Sequence, residues 1–329
     1  MYKQLSFLTA AILGLSSILV AQTRSENNVK QSLSRIDATN RSINLPSSYS
    51  PLNSASSADS SEQKPVTLGK SGISTFIGYD VRAVYQSNPG GDSGKLYKNT
   101  TGVWTNTFYG GADFGEFDFA NTVVIPVVGG SWTSNEYTKA HFEDYDYYST
   151  EAYAILLAEY SDNWTARLGI GYASDISVKY STEDYSGIYP TVGISKVYSV
   201  NSETDALFDF SITKHYASSI TDLIKDEGHT GDQLTNWDAT LSYGLRHEYA
   251  GFTISPTLTT SYKIYEEDLN KDRDDFSYGG SILVEYPLVS DVQASVLASY
   301  GNRDSSGTTA NHDYKSWDGS IGINVSTSF

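Results

Sequence analysis

The chain has 329 residues, 22 basic against 39 acidic side chains, a formal net charge of −17 and no cysteine. Without cysteine there is no disulfide framework, and the acidic balance argues against a nucleic-acid partner, which needs a basic footprint. Twenty-six tyrosines, twelve phenylalanines and five tryptophans in a largely polar chain suggest aromatic belts at a membrane interface.

Residues 1–21, "MYKQLSFLTAAILGLSSILVA", carry one lysine, an apolar run from Leu5 to Val20 and a small-residue site ending at Ala21. This reads as a secretory signal peptide. The run is short for a membrane anchor and contains serine, threonine and glycine. No later stretch is long and apolar enough to predict a transmembrane helix. Residues 22–70 are rich in serine and asparagine and poor in aromatics. Such a segment cannot bury enough surface to offset its ordering entropy, which predicts a disordered periplasmic extension. Val29, Leu33 and Ile36 have helical spacing, read as a transient helix in a linker.

From residue 71 to 329 the pattern has period two, in segments of about ten residues between turn residues. Twelve segments are expected near 72–86, 102–110, 115–128, 145–160, 164–174, 187–198, 205–216, 237–249, 251–264, 276–287, 291–301 and 315–329. Trp164, Ala166, Leu168, Ile170 and Tyr172 form one apolar row. Trp237, Ala239, Leu241, Tyr243 and Leu245 form another, as do Val292, Ala294, Val296, Ala298 and Tyr300. The connections alternate between short ("GGADF", "SDN", "SVNSET", "YAG", "LVSD") and long ("SNPGGDSGKLYKN", "GGSWTSNEYTKAHFED", "SDISVKYSTEDYSG", "ASSITDLIKDEGHTGDQLTN", "EEDLNKDRDD", "NRDSSGTTANHD").

Short turns at one end and long loops at the other, with an even strand count, predict an all-β fold: a transmembrane up-and-down antiparallel β-barrel of about 12 strands. The outward aromatics Trp164, Tyr172, Trp237, Phe252, Tyr262, Phe276, Tyr286, Trp317 and Phe329 are expected to form its interface belt. Phe252 and Tyr262, like Phe276 and Tyr286, are ten residues apart. At about 3.3 Å rise per residue and roughly 40° tilt, ten residues cover about 25 Å, the height of a barrel's apolar band. Pro126, Pro190 and Pro256 fall inside predicted strands, where each removes a ladder donor, so bulges or local irregularity are expected there.

A signal peptide, repeated ten-residue alternation and a terminal strand ending in Phe329 resemble the bacterial outer-membrane β-barrel proteins, the porin-like group. The resemblance is architectural and covers residues 71–329. It implies the bacterial outer membrane as location, outer-membrane lipid as surroundings and the barrel-assembly machinery as a partner that reads the terminal strand. It leaves the oligomeric state open.

If the apolar parity faces lipid, the other faces the lumen. That places Asp80, Arg82, Glu116, Asp118, Glu151, Arg167, Asp209, His215, Asp238, Arg246, Glu248, Lys263, Glu285 and Asp318 inside. Acids outnumber bases, which favours cations or polar neutral solutes. The competing reading is that these charges pair across the lumen and help to fill it. No cofactor, metal or catalytic residue is expected. In "EEDLNKDRDD" spaced oxygens suggest Ca²⁺, but Arg273 and Gly279 stand where a calcium loop needs Gly and Glu. Of the histidines, His141, His215, His229, His247 and His312, the lumen-side His215 has Ala217 rather than serine two residues on, unlike outer-membrane phospholipases. The function expected is a passive channel for small polar solutes or ions. The alternative is a structural or adhesive barrel displaying acidic, tyrosine-rich loops.

Overall fold

A computed structural model describes residues 73–87, 100–119, 122–138, 146–160, 164–178, 181, 183–219, 235–267, 270–289, 291–307 and 313–328. The signal peptide, the extension, Phe329, His141, His229 and His312 lie outside these residues. The strands are β1 (Ser74–Gln86), β2 (Thr101–Asp113), β3 (Phe117–Phe119), β4 (Thr122–Tyr137), β5 (Tyr147–Tyr160), β6 (Trp164–Ser177), β7 (Glu183–Asn201), β8 (Thr204–Ser219), β9 (Asn236–Tyr249), β10 (Phe252–Tyr265), β11 (Asp274–Val289), β12 (Val292–Ser306) and β13 (Tyr314–Ser328). Each long strand pairs antiparallel with its neighbours in sequence, β2 pairs with β4, and β13 returns to β1. The sheet is a closed barrel of twelve strands, with β3 attached to β4 alone. Twelve strands about 4.8 Å apart and tilted about 40° enclose a ring about 24 Å across between backbones.

The short turns follow from their residues. Between β9 and β10, Ala250 and Gly251 both have positive φ, at 51° and 82°, the geometry of a two-residue hairpin that matches strand twist. Between β7 and β8, the Asn201 side chain accepts a hydrogen bond from the Glu203 amide at 2.9 Å, closing a side-chain turn.

One turn lies elsewhere than expected. Gly110 to Asp113 are strand, so "GGADF" is not a connection. Between the pairs Asp113↔Val127 and Phe117↔Val124, the β2 side has three residues and the β4 side two. β3 is therefore the continuation of β2 past a bulge at 114–116. The Phe114 amide still donates to the Pro126 carbonyl at 3.0 Å. Asp113 Oδ1 accepts from the Gly115 amide at 2.6 Å, and Gly115 takes a φ of 83°, which glycine adopts without a Cβ penalty. The segment expected at 115–128 joined the end of one strand to the start of the next, and the strand itself runs 122–137.

Several strands also run further toward the long loops than their apolar alternation does. Gly129–Tyr137, Ser174–Ser177 and Asn302–Ser306 continue the ladder. Their outward positions become mixed there, with Trp132 and Ile176 among glycine, serine and charged residues, so the continuous apolar row stops while the hydrogen bonding goes on.

Pro190 and Pro256 do not produce bulges, but each interrupts the ladder locally, at 189–190 on the β8 side and 255–256 on the β9 side. Pairing resumes in the same register beyond each, from Ile188↔Tyr216 to Thr191↔Thr213 and from Ile254↔His247 to Thr257↔Gly244. Pro126 pairs with Leu156 in unbroken register on the β5 side, but on its other side it lies opposite the 114–116 bulge, as expected there. The register shifts fall at Asp175/Ile176, Ser186/Gly187, Ser199/Asn201 and Pro287/Val289, near strand ends, where an extra residue disturbs the fewest neighbours.

Candidate functional site: the inner wall of the barrel

The usual order of burial is inverted. Leu168, Ile170, Leu258, Val296, Ile321 and Ile323 are exposed on the outer surface, whereas Arg167, Lys263, Asp275 and Glu285 are buried on the inner one. Period-two alternation places every second residue of a strand on each face. The row chosen as apolar in sequence is the one that ends outside.

The large inward side chains lie along the wall. Six of them cover the glycine directly opposite on the next strand: Phe76 over Gly111, Tyr109 over Gly78, Tyr153 over Gly129, Tyr189 over Gly171, Arg167 over Gly193 and Arg82 over Gly322. In each case a Cβ on the glycine would collide with the ring, the guanidinium or the arginine stem. A missing side chain on one strand makes room for a tall one on its neighbour.

The inward charges pair along the wall, not across the lumen. Arg82 is bidentate to Asp80 on its own strand, Nε to Oδ1 at 2.7 Å and Nη2 to Oδ2 at 3.1 Å. Arg167 reaches over β7 to Asp209 on β8, with contacts of 2.5 and 3.0 Å. Lys263 lies 3.6 Å from Asp238, which also accepts from Thr240. Arg246 pairs with Glu248 at 2.9 Å beside the β9–β10 turn, where Glu248 is exposed at the rim. Asp318 accepts from Ser316 Oγ at 2.9 Å and from the Ser87 amide at 3.2 Å, fastening the end of β1. Glu151 accepts from Ser131. His215 stacks on Tyr189, centroids 6.0 Å apart. Glu116 sits in the bulge within electrostatic reach of Glu159, and Asp118 is exposed at the turn end. Glu285 lies within electrostatic reach of both Arg82 and Arg246.

Two groups at the site were not anticipated. Near the long loops, Arg273 is bidentate to Asp275 (2.8 and 2.6 Å), donates to Asn270 Oδ1 at 3.1 Å and lies over the Tyr265 ring at 4.6 Å. Arg303 approaches the same carboxylate at 3.8 Å, and Ser305 Oγ donates to it at 2.6 Å. The loop "EEDLNKDRDD" is thus pinned to the wall by its arginine. The signal was present as Arg273-x-Asp275, since residues two apart on a strand share a face. Asp80/Arg82 and Arg246/Glu248 have the same spacing. The second group is apolar: Ile125, Val127, Ile155 and Leu157 are buried together, with Val123 and Tyr153 packed against them. Its signal is the unbroken runs "TVVIPVV" and "AILLA", where both faces of the strand are apolar.

On the outer face, Tyr172, Trp237, Phe252, Tyr262, Phe276, Tyr286 and Trp317 are exposed. Tyr262 and Phe276 are cross-strand partners toward the loop end, and Phe252 and Tyr286 stack at 4.8 Å toward the turn end. Trp164 is half-buried because Lys196 Nζ lies 5.0 Å over its ring and Phe208 packs edge-on at 6.3 Å. Lys214 pairs with Glu266 and lies over Trp237 and Tyr216.

No protein-family profile matches this chain, and no curated protein does. Among solved structures, an outer membrane channel from Pseudomonas putida F1 is similar at 9% identity and a TM-score of 0.47, over 81% of this chain and 100% of that one. The NanC porin is similar at 13% identity and a TM-score of 0.41, over 75% and 98%. The translocator domain of the autotransporter NalP from Neisseria meningitidis is similar at 11% identity and a TM-score of 0.40, over 78% and 90%. The barrel itself is established by its own strand pairing.

Proposed function

We propose that this chain is an outer-membrane barrel acting as a passive channel for small polar solutes or ions, with a lumen of net acidic charge. The inverted burial carries the reading. The exposed apolar surface far exceeds what a water-soluble monomer presents. On β10 and β11 it is bounded by aromatic pairs ten residues apart along each strand (252 to 262, 276 to 286), about the height of an apolar band. Inside, ion pairs run along the wall, and rings lie over glycines, so bulky groups are drawn back from the axis. On this reading residues 1–21 direct export, and the terminal strand with Phe329 addresses the assembly machinery. The side chains act as a static field and filter, with no bond making.

The test is conductance of the purified barrel in planar bilayers. Stepwise channels with a cation preference are expected. A folded barrel, judged by heat-modifiable migration on a gel, that stays silent at every voltage and salt concentration overturns the channel reading and favours a structural or adhesive barrel.

A further inference from the structure

One inward carboxylate differs from the closed pairs. Glu285 is only 7% exposed, yet its Oε2 accepts no hydrogen bond among the described residues. A buried charge without such partners is costly unless other charges compensate it. Here the compensation comes from two sides. A single register row runs from Arg82 to Gly322, Ser295 and Glu285, then to Thr253 and Glu248. The two residues between Arg82 and Glu285 are small, so no tall side chain separates them along the wall. Arg82 keeps 24% of its side chain exposed and leans over Gly322 toward β12. From the other side Arg246, two residues before Glu248, faces the same carboxylate. Both arginines make their close contacts elsewhere, to Asp80 and Glu248.

We infer that Glu285, held between Arg82 and Arg246, sets the ion selectivity of the barrel. This rests on the channel reading above. Its Oε2 is closed to solvent, so the carboxylate attracts a passing hydrated cation through its field and not by direct contact. The flanking arginines keep that attraction shallow, and conduction needs binding strong enough to admit an ion and weak enough to release it. In the bidentate pairs Arg167–Asp209 and Arg273–Asp275 both oxygens are already engaged.

The experiment is the reversal potential of the full-length barrel in planar bilayers under a potassium chloride gradient. Removing one charge about 7 Å from the ion path changes the permeability of each ion about 2.7-fold in opposite directions, so a cation-to-anion ratio changes about seven-fold in high dielectric. Glu285→Gln is expected to lower the cation-to-anion ratio by that factor and Arg82→Gln to raise it. Asp304→Asn, the same charge change on the outer face, leaves the ratio unchanged. Should the glutamine variants not fold, Ser295→Cys keeps the row intact in a chain with no native cysteine. Thiol reagents of opposite charge at that position then shift the ratio in opposite directions. A silent wild-type barrel overturns the channel reading. A conducting wild-type barrel whose ratio does not move with Glu285→Gln, Arg82→Gln or charged Ser295→Cys overturns this inference alone.

Discussion

The guanidinium of Arg167 lies against the backbone of Gly193, so close that a Cβ there would stand 2.8 Å from its Cζ. The same construction holds Tyr189 over Gly171, but the two covers differ in freedom. Arg167 ends in a flexible side chain, whereas the Tyr189 ring is 1% exposed and stacked on His215. Gly171→Ala is therefore expected to destabilise the barrel by about 1–3 kcal/mol, the cost of overpacking. Gly193→Ala should cost less, because the guanidinium can shift. Urea unfolding in detergent micelles or vesicles checks the order, and equal losses would count against it.

The Arg167–Asp209 pair is buried and bidentate. Arg167→Met alone leaves Asp209 charged and unpaired, at a cost of about 3–5 kcal/mol. The double variant Arg167→Met with Asp209→Leu removes both charges and is expected to recover most of that loss. Comparing the three unfolding free energies decides it. Recovery of less than half would mean that the pair also holds β6, β7 and β8 in place by its geometry.

Lipid contact has its own signature on the outer face. Leu258 is exposed midway along β10, between Phe252 and Tyr262. Leu258→Arg should cost about 2–4 kcal/mol in folding into vesicles, and Phe252→Arg, at the interface, about 0–1 kcal/mol from the charge itself. A soluble barrel has no such depth dependence. Equal costs at the two positions, after allowing for the lost ring stacking on Tyr286, would remove the lipid reading.

The barrel was legible because one residue in two faces the outside of the sheet and is mostly apolar there, and that alternation runs through the strands from Ile77 to Val325. Strand number and handedness of burial followed from it. What the alternation could not mark is where a ladder continues without an apolar face, as at Asn302–Ser306, or where one strand hides an extra residue, as at Phe114–Glu116. The inner wall was legible by parity but not by partner. Asp209 and Glu285 occupy equivalent inward positions in sequence. One is clamped by Arg167 because Gly193 lets the arginine through; the other has a buried Oε2 without a donor among the described residues, because Arg82, lying over Gly322, makes its bidentate contact with Asp80. Such differences depend on the side chain one or two strands away, which no single strand records.

The bulge between β2 and β3 offers a test of register. Phe117 pairs with Val124 and faces outward, with three residues between it and Asp113 on one side against two between Val124 and Val127 on the other. Deleting Glu116 equalises the two sides. Phe117 would still meet Val124 and keep its outward face, because the extra residue is what the bulge accommodates. The deletion also removes a carboxylate within reach of Glu159. Deleting Asn106 instead, in the middle of β2, shifts one part of the strand by one residue and sends its apolar row inward. Heat-modifiable migration should show a folded barrel without Glu116 and none without Asn106. If both deletions abolish the folded band, the bulge is itself required for closure, with Asp113 and Gly115 fixing the angle at which β3 meets β4.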